Sequence, residues 1–155
     1  MDGKLQAAAG ARRGALKAQA AELGIDEDFV SDLVDAFYAR VRGHETLGPI
    51  FAAKITGDWA PHLAKMKQFW ASVAMSAGVY SGDPAEAHRR LEGVKPANFA
   101  TWLALFAETL DSLTANPAVK AHFMERADRI AYSLQLMMFP FQDVPPPAGR
   151  ARPGA

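Results

Sequence analysis

Apolar residues recur along most of this chain at spacings of three and four positions, the period of one helix face. The first clear stripe runs through Phe29, Val30, Leu33, Val34, Phe37, Tyr38 and Val41. Asp26 stands ahead of it, a side chain suited to accepting from the free amides of a first helical turn, and Gly43 is placed to end it. A second stripe of Trp59, Leu63, Met66, Phe69, Trp70 and Val73 follows Asp58 as cap and is expected to stop at Gly78. Asp83-Pro84-Ala85-Glu86 then carries the signals of a short helix: a capping aspartate, a proline at the first helical position and a glutamate behind it. Gly93 closes that piece. Pro96 opens a helix with Phe99, Trp102, Leu103, Phe106, Leu110 and Leu113, and Asn116-Pro117 opens the last, with Val119, Phe123, Ile130, Leu134 and Met137 or Met138 on one side. Leu47-Gly48-Pro49-Ile50-Phe51 reads as a short aromatic connector. No period-two alternation is long enough to build a sheet. The pattern predicts an all-α chain of five main helices with shorter pieces between them.

The pattern weakens at both ends. Residues 1–24 are Ala-rich and are expected to be an N-terminal extension, able to form a helix or an arm. Residues 141–155 are mostly Pro, Gly, Ala and Arg; Pro145-Pro146-Pro147 cannot continue a helix, and so little apolar surface cannot fold. The expected domain is therefore 25–140, within a chain of 155 residues, about the length of one domain.

Composition mainly removes alternatives. Half of the residues are apolar, and 17 basic residues balance 17 acidic ones. No basic stripe interleaves with aromatics, which argues against a nucleic-acid partner. There is no cysteine, which excludes disulfides, iron–sulfur clusters, thiolate zinc sites and cysteine nucleophiles. No apolar run approaches the ~18–20 residues of a membrane span. Arg12-Arg13 is followed by Gly14-Ala15-Leu16-Lys17, too polar for a secretory or twin-arginine signal. A cytoplasmic monomer that does not engage membranes is the expectation.

Four histidines frame the possible chemistry. His44, in a connector beside Glu45, and His122, next to the apolar stripe of the last helix, read as solvated surface residues. His62 lies three residues after Trp59 and four before Met66, so it projects from an apolar face. Tyr38 does the same, beside Phe37 and four residues after Val34. A buried imidazole and a buried phenol each need a partner, which an ordinary core or a ligand could supply. His88 sits on the short Pro-opened helix with Arg89, Arg90 and Glu92, two turns too polar to persist without outside support. Packing under a loop is one source of that support and a metal–imidazole bond another. Taken together, two polar groups on inward faces, a weak helix bearing a histidine and a surplus of Phe37, Phe51, Phe69, Trp70 and Trp102 suit a large flat apolar cofactor with one axial imidazole. Tyr38, His62 and the Trp102 indole are three possible hydrogen-bond donors to a ligand on such a cofactor. The Glu-x-x-His pairs of a di-iron bundle, His-Glu-x-x-His, Gly-x-Ser-x-Gly and the phosphate-binding Gly-x-x-x-x-Gly-Lys are all missing.

The pieces Phe37-Tyr38-Ala39-Arg40-Val41-Arg42, Leu47-Gly48-Pro49-Ile50-Phe51, Trp59-Ala60-Pro61-His62-Leu63, Phe69-Trp70-Ala71-Ser72-Val73, Tyr80-Ser81-Gly82, His88 and Phe99-Ala100-Thr101-Trp102-Leu103 occur in an order and spacing that resemble the group III truncated haemoglobins. The resemblance spans about residues 26–139. It implies a two-on-two helical sandwich around haem b (iron protoporphyrin IX), with His88 as the iron ligand. Tyr38, His62 and Trp102 are the implied distal set, and Phe37, Phe51, Met66, Phe69 and Trp70 the implied contacts of the cofactor. Lys65, Arg89 and Lys95 are propionate candidates by chain position. Reversible binding of oxygen, carbon monoxide or nitric oxide is the implied function, with an unidentified reductase as a partner. The alternatives are a haem enzyme using the same site, for nitric oxide detoxification or peroxidase-like work, and a helical interaction domain without haem.

Overall fold

The Asp26 carboxylate accepts from the backbone N–H of Phe29 at 2.8 Å, and from that cap the first long helix runs over Glu27–Gly43. Such a cap contributes about 1 kcal/mol, since it satisfies an amide that the helix cannot. In the computed structural model, which describes residues 14–76 and 94–139, six helices and no strand appear among the described residues. Residues 14–22 form α1. It ends on Gly24 at φ 73°, with Gly24 N–H bonded to Ala21 O and Ile25 N–H to Ala20 O, the paired bonds of a glycine-terminated helix. Then follow α2 (Glu27–Gly43), α3 (Leu47–Lys54), α4 (Ala60–Met75), α5 (Pro96–Leu113) and α6 (Pro117–Met138). None of the described helices is long and apolar enough to cross a membrane.

The pairs α2/α4 and α5/α6 pack together, and α2 lies on α5 while α4 lies on α6. This is a two-on-two sandwich. Its core holds Val30, Leu33, Val34, Phe37, Tyr38 and Val41 of α2, Trp70, Ala71 and Ala74 of α4, Phe106 and Leu110 of α5, and Val119, Phe123 and Ala127 of α6. Nearly all of these are residues of the predicted stripes. Ala20 and Leu23, from the segment read as an extension, also pack on this core.

Three expectations are corrected. The Leu47–Phe51 connector is the front of a helix. Pro49 falls in the first turn, where a missing N–H costs nothing, and Gly48 is there because α3 closes hard against the end of α2: a Cβ on it would lie 2.7 Å from the Arg42 carbonyl oxygen. The second long helix ends at Met75, with Ser76 in the left-handed region at φ 58° as its C-cap, rather than running to Gly78. That residue lies outside the described residues, as does the segment from Asp83 to Gly93 for which a short helix is expected.

The third correction concerns the two histidines read as solvated. His44 is half-buried, and its Nδ1 accepts from the N–H of Thr46 and of Leu47, each at 3.1 Å, capping α3. His122 is 2% exposed. Because α6 covers both α4 and α5, its buried face is wider than one stripe and includes the position before Phe123. His122 Nε2 lies 2.8 Å from Ala74 O, pinning the last turn of α4, while Nδ1 has no hydrogen-bond partner among the described residues.

Burial lowers the His122 pKa below its ordinary 6.5, with Arg126 adding to the effect and the Ala74 bond and Glu125 opposing it. The unfolded chain therefore takes up this proton at higher pH than the folded one. The stabilisation from neutral His122 is complete above about pH 6.5 and is lost as pH falls through the lower folded value. Thermal midpoints measured from pH 8 to pH 5 should be flat at first and then decline below about 6.5. In His122→Gln, whose amide can still donate to Ala74 O, that part of the decline should vanish; an identical profile in both proteins would remove His122 as its source.

Candidate functional site

Tyr38 sits midway along the buried face of α2, 5% exposed. Its ring is held on four sides. Phe37 is 5.1 Å away edge-on, Phe51 of α3 6.0 Å, Trp59 6.3 Å and His62 5.0 Å at 88°. Three separate elements thus converge on one phenol. Burial pushes the Tyr38 phenol above its ordinary pKa, so around neutral pH it carries its proton and can donate.

His62 reaches Tyr38 because Pro61 and Trp59 shape the start of α4. Trp59 is the N-cap, and the Asp58 carboxylate accepts from Ala60 N–H at 3.0 Å, so the predicted aspartate does fasten this end. One turn into the helix, His62 is half-buried, and its ring also stands perpendicular to Trp59 at 5.7 Å. Met66 and Phe69 continue along α4, both partly buried against the core.

Trp102 arrives from α5. It is half-buried, edge-on to Phe37 at 5.4 Å and stacked on Phe106 at 5.6 Å with planes 3° apart. Phe37 is 1% exposed and joins Trp102 to Tyr38. Trp70 lies deeper, stacked on Phe106 at 4.8 Å and edge-on to Phe69 at 5.6 Å; it braces the residues in front of it from within the core.

Of the residues singled out in the sequence, Tyr38, His62, Phe51, Phe37 and Trp102 therefore form one continuous set of ring contacts. Met66, Phe69 and Trp70 follow along α4. His88 and Arg89 lie outside the described residues, and Lys65 and Lys95 are exposed. Among the described residues no three His, Asp or Glu side chains are grouped to hold a metal ion.

Two site residues were not singled out for a role. Trp59 touches Tyr38, His62 and, at 6.5 Å, Phe51, and the Arg42 guanidinium lies 4.6 Å over the Trp59 ring. Their signal was spacing alone: Arg42 follows Tyr38 by four residues, and Trp59 precedes His62 by three.

What this arrangement offers is a protonated phenol, an imidazole and an indole presented by three helices. Around them large apolar side chains (Phe51, Leu63, Met66, Phe69, Trp102) pack on the core without being fully covered. This fits a flat apolar group with a polar ligand on it.

No protein-family model matches the chain. A group 3 truncated haemoglobin of Campylobacter jejuni is 35% identical over 120 residues, which cover 76% of this chain and 94% of that protein. The crystal structure of group III truncated haemoglobin from Campylobacter jejuni superposes with a TM-score of 0.71 at 34% identity, covering 77% of this chain and 95% of that one.

Proposed function

The chain belongs to the group III truncated haemoglobins, and from that premise we propose that it holds haem b through His88 and binds diatomic ligands beside Tyr38, His62 and Trp102. The bound iron would supply the coordination position for oxygen, carbon monoxide or nitric oxide. Everything else is the work of the chain's own side chains.

The observation that carries this reading is the convergence on Tyr38: a buried phenol gripped by rings from α2, α3 and α4. A phenol hydroxyl in such a setting donates a hydrogen bond, and a ligand that accepts one would suit it. The raised pKa keeps the proton on Tyr38. Trp102 is a donor only. His62 either donates or accepts according to its tautomer, which allows it to adapt to the ligand. Phe51, Met66 and Phe69 would exclude water and offer the apolar walls that a porphyrin requires, with Trp70 behind them.

Three donors around a ligand that gathers negative charge favour slow release. A hydrogen bond to a charged group contributes about 1.5–3 kcal/mol, so Tyr38→Phe should speed oxygen dissociation by about ten- to a hundredfold. Stopped-flow displacement of oxygen by carbon monoxide measures it directly. Fast release in the wild type, unchanged by the substitution, would count against this role for Tyr38.

A further inference from the structure

Helices α2 and α4 meet at two successive rungs. At the first, the rings of Tyr38 and His62 stand perpendicular at 5.0 Å. At the second, Arg42 lies with its guanidinium carbon 4.6 Å over Trp59. Arg42 is one helical turn beyond Tyr38 on α2, and Trp59 is just before His62 at the head of α4, so each helix contributes one member to each rung. The rungs are linked, because Trp59 also meets His62 edge to face at 5.7 Å and 89°.

We propose that Arg42 and Trp59 are positioning residues that set the plane of the His62 imidazole, and through it the polarity of the distal site. The inference rests on the reading of Tyr38 and His62 as distal groups.

The second torsion of a histidine side chain is broad and poorly self-determined. Here two rings constrain it. Tyr38 cannot yield, being buried among Phe37 and Phe51. Trp59 is 8% exposed and is tilted by 55° from Tyr38 and 36° from Phe51, so its inner face is fixed by packing. Its other support is Arg42, whose planar cation suits an indole face. Arg42 is exposed, so it can be replaced without opening the core. Along the ring contacts described, a change there reaches His62 through Trp59.

The test uses the full chain reconstituted with haem, with carbon monoxide as the probe. The infrared C–O stretch reports the electrostatic field on the distal side, which loss of stability alone does not move. Wild type, Arg42→Gln, Arg42→Lys, Trp59→Phe and His62→Ala would be compared. The expected result is a dominant band in the wild type. In Arg42→Gln a second component should appear towards the position seen in His62→Ala, with oxygen dissociation about two- to fivefold faster, the factor equivalent to an exposed cation–π contact. Arg42→Lys should fall between the wild type and Arg42→Gln, because an ammonium keeps a charge over the indole but loses the planar stacking. Trp59→Phe should give the larger second component. Wild-type bands and rates in both Arg42→Gln and Trp59→Phe, alongside a shifted band in His62→Ala, would overturn the positioning role while leaving the distal reading intact. An unmoved band in His62→Ala would overturn the distal reading and this inference with it.

Discussion

Glycine in place of His88 should strip the reconstituted protein of its haem, or of the iron–imidazole signature in its visible spectrum. The wild type should show an intense Soret band that shifts when carbon monoxide is added to the ferrous form. Asp83-Pro84-Ala85-Glu86 carries the sequence signals of a helix start, but Arg89, Arg90 and Glu92 offer almost nothing to bury, and two turns of such sequence would not persist alone in water. On the proposed reading, an axial bond from His88 would both hold the cofactor and supply the support that so polar a segment lacks. Free imidazole added to the buffer can stand in for the deleted ring in the glycine variant and should restore the wild-type spectrum. Restoration separates loss of the ligand from loss of the fold. A variant that keeps the wild-type spectrum without imidazole would show that another group ligates the iron, and His62 would be examined next.

Phe106→Ala should cost about 3–5 kcal/mol of folding stability, the range for truncating a large aromatic in a packed core. Phe106 is 1% exposed. It stacks on Trp70 at 4.8 Å and on Trp102 at 5.6 Å and receives Phe37 edge-on at 5.1 Å. One ring thus bridges α2, α4 and α5, and its removal leaves a void among them. A domain of this size has a total stability of roughly 5–15 kcal/mol, so the loss should be plain as a lower urea midpoint. Phe106→Leu, which refills part of the volume, should recover about half of it. Equal midpoints for Phe106→Ala and the wild type would contradict the packing described. The same substitution unseats Trp102 and Phe37, so in the loaded protein oxygen kinetics should change along with stability.

Much of this architecture could be read before any coordinates. The stripes of α2, α5 and α6 carry their caps and prolines at the expected places, because each buries one face against neighbours and the rest stays polar. Where the reading failed, the cause was tertiary. Helix α3 shows no amphipathic stripe, and its Gly48-Pro49 pair looks like a breaker; only the close approach of the Arg42 carbonyl explains the glycine. Periodicity assigns His122 to the edge of a single face and so to the surface, whereas two helices, α4 and α5, pack on α6 and bury it. Tyr38, His62 and Trp102 were legible as polar groups on apolar faces. Trp59 and Arg42 were not, since a tryptophan on a stripe reads as core and an exposed arginine reads as solubility.

The ring contacts have an optical consequence. The three tryptophans of the chain, Trp59, Trp70 and Trp102, belong to one connected array: Trp70 reaches Trp102 through Phe106, and Trp102 reaches Trp59 through Phe37 and Tyr38. A porphyrin seated beside Tyr38 would lie within energy-transfer range of all of them. Their ultraviolet emission would then fall together as haem is titrated in, making the protein's own fluorescence a gauge of how many molecules are loaded.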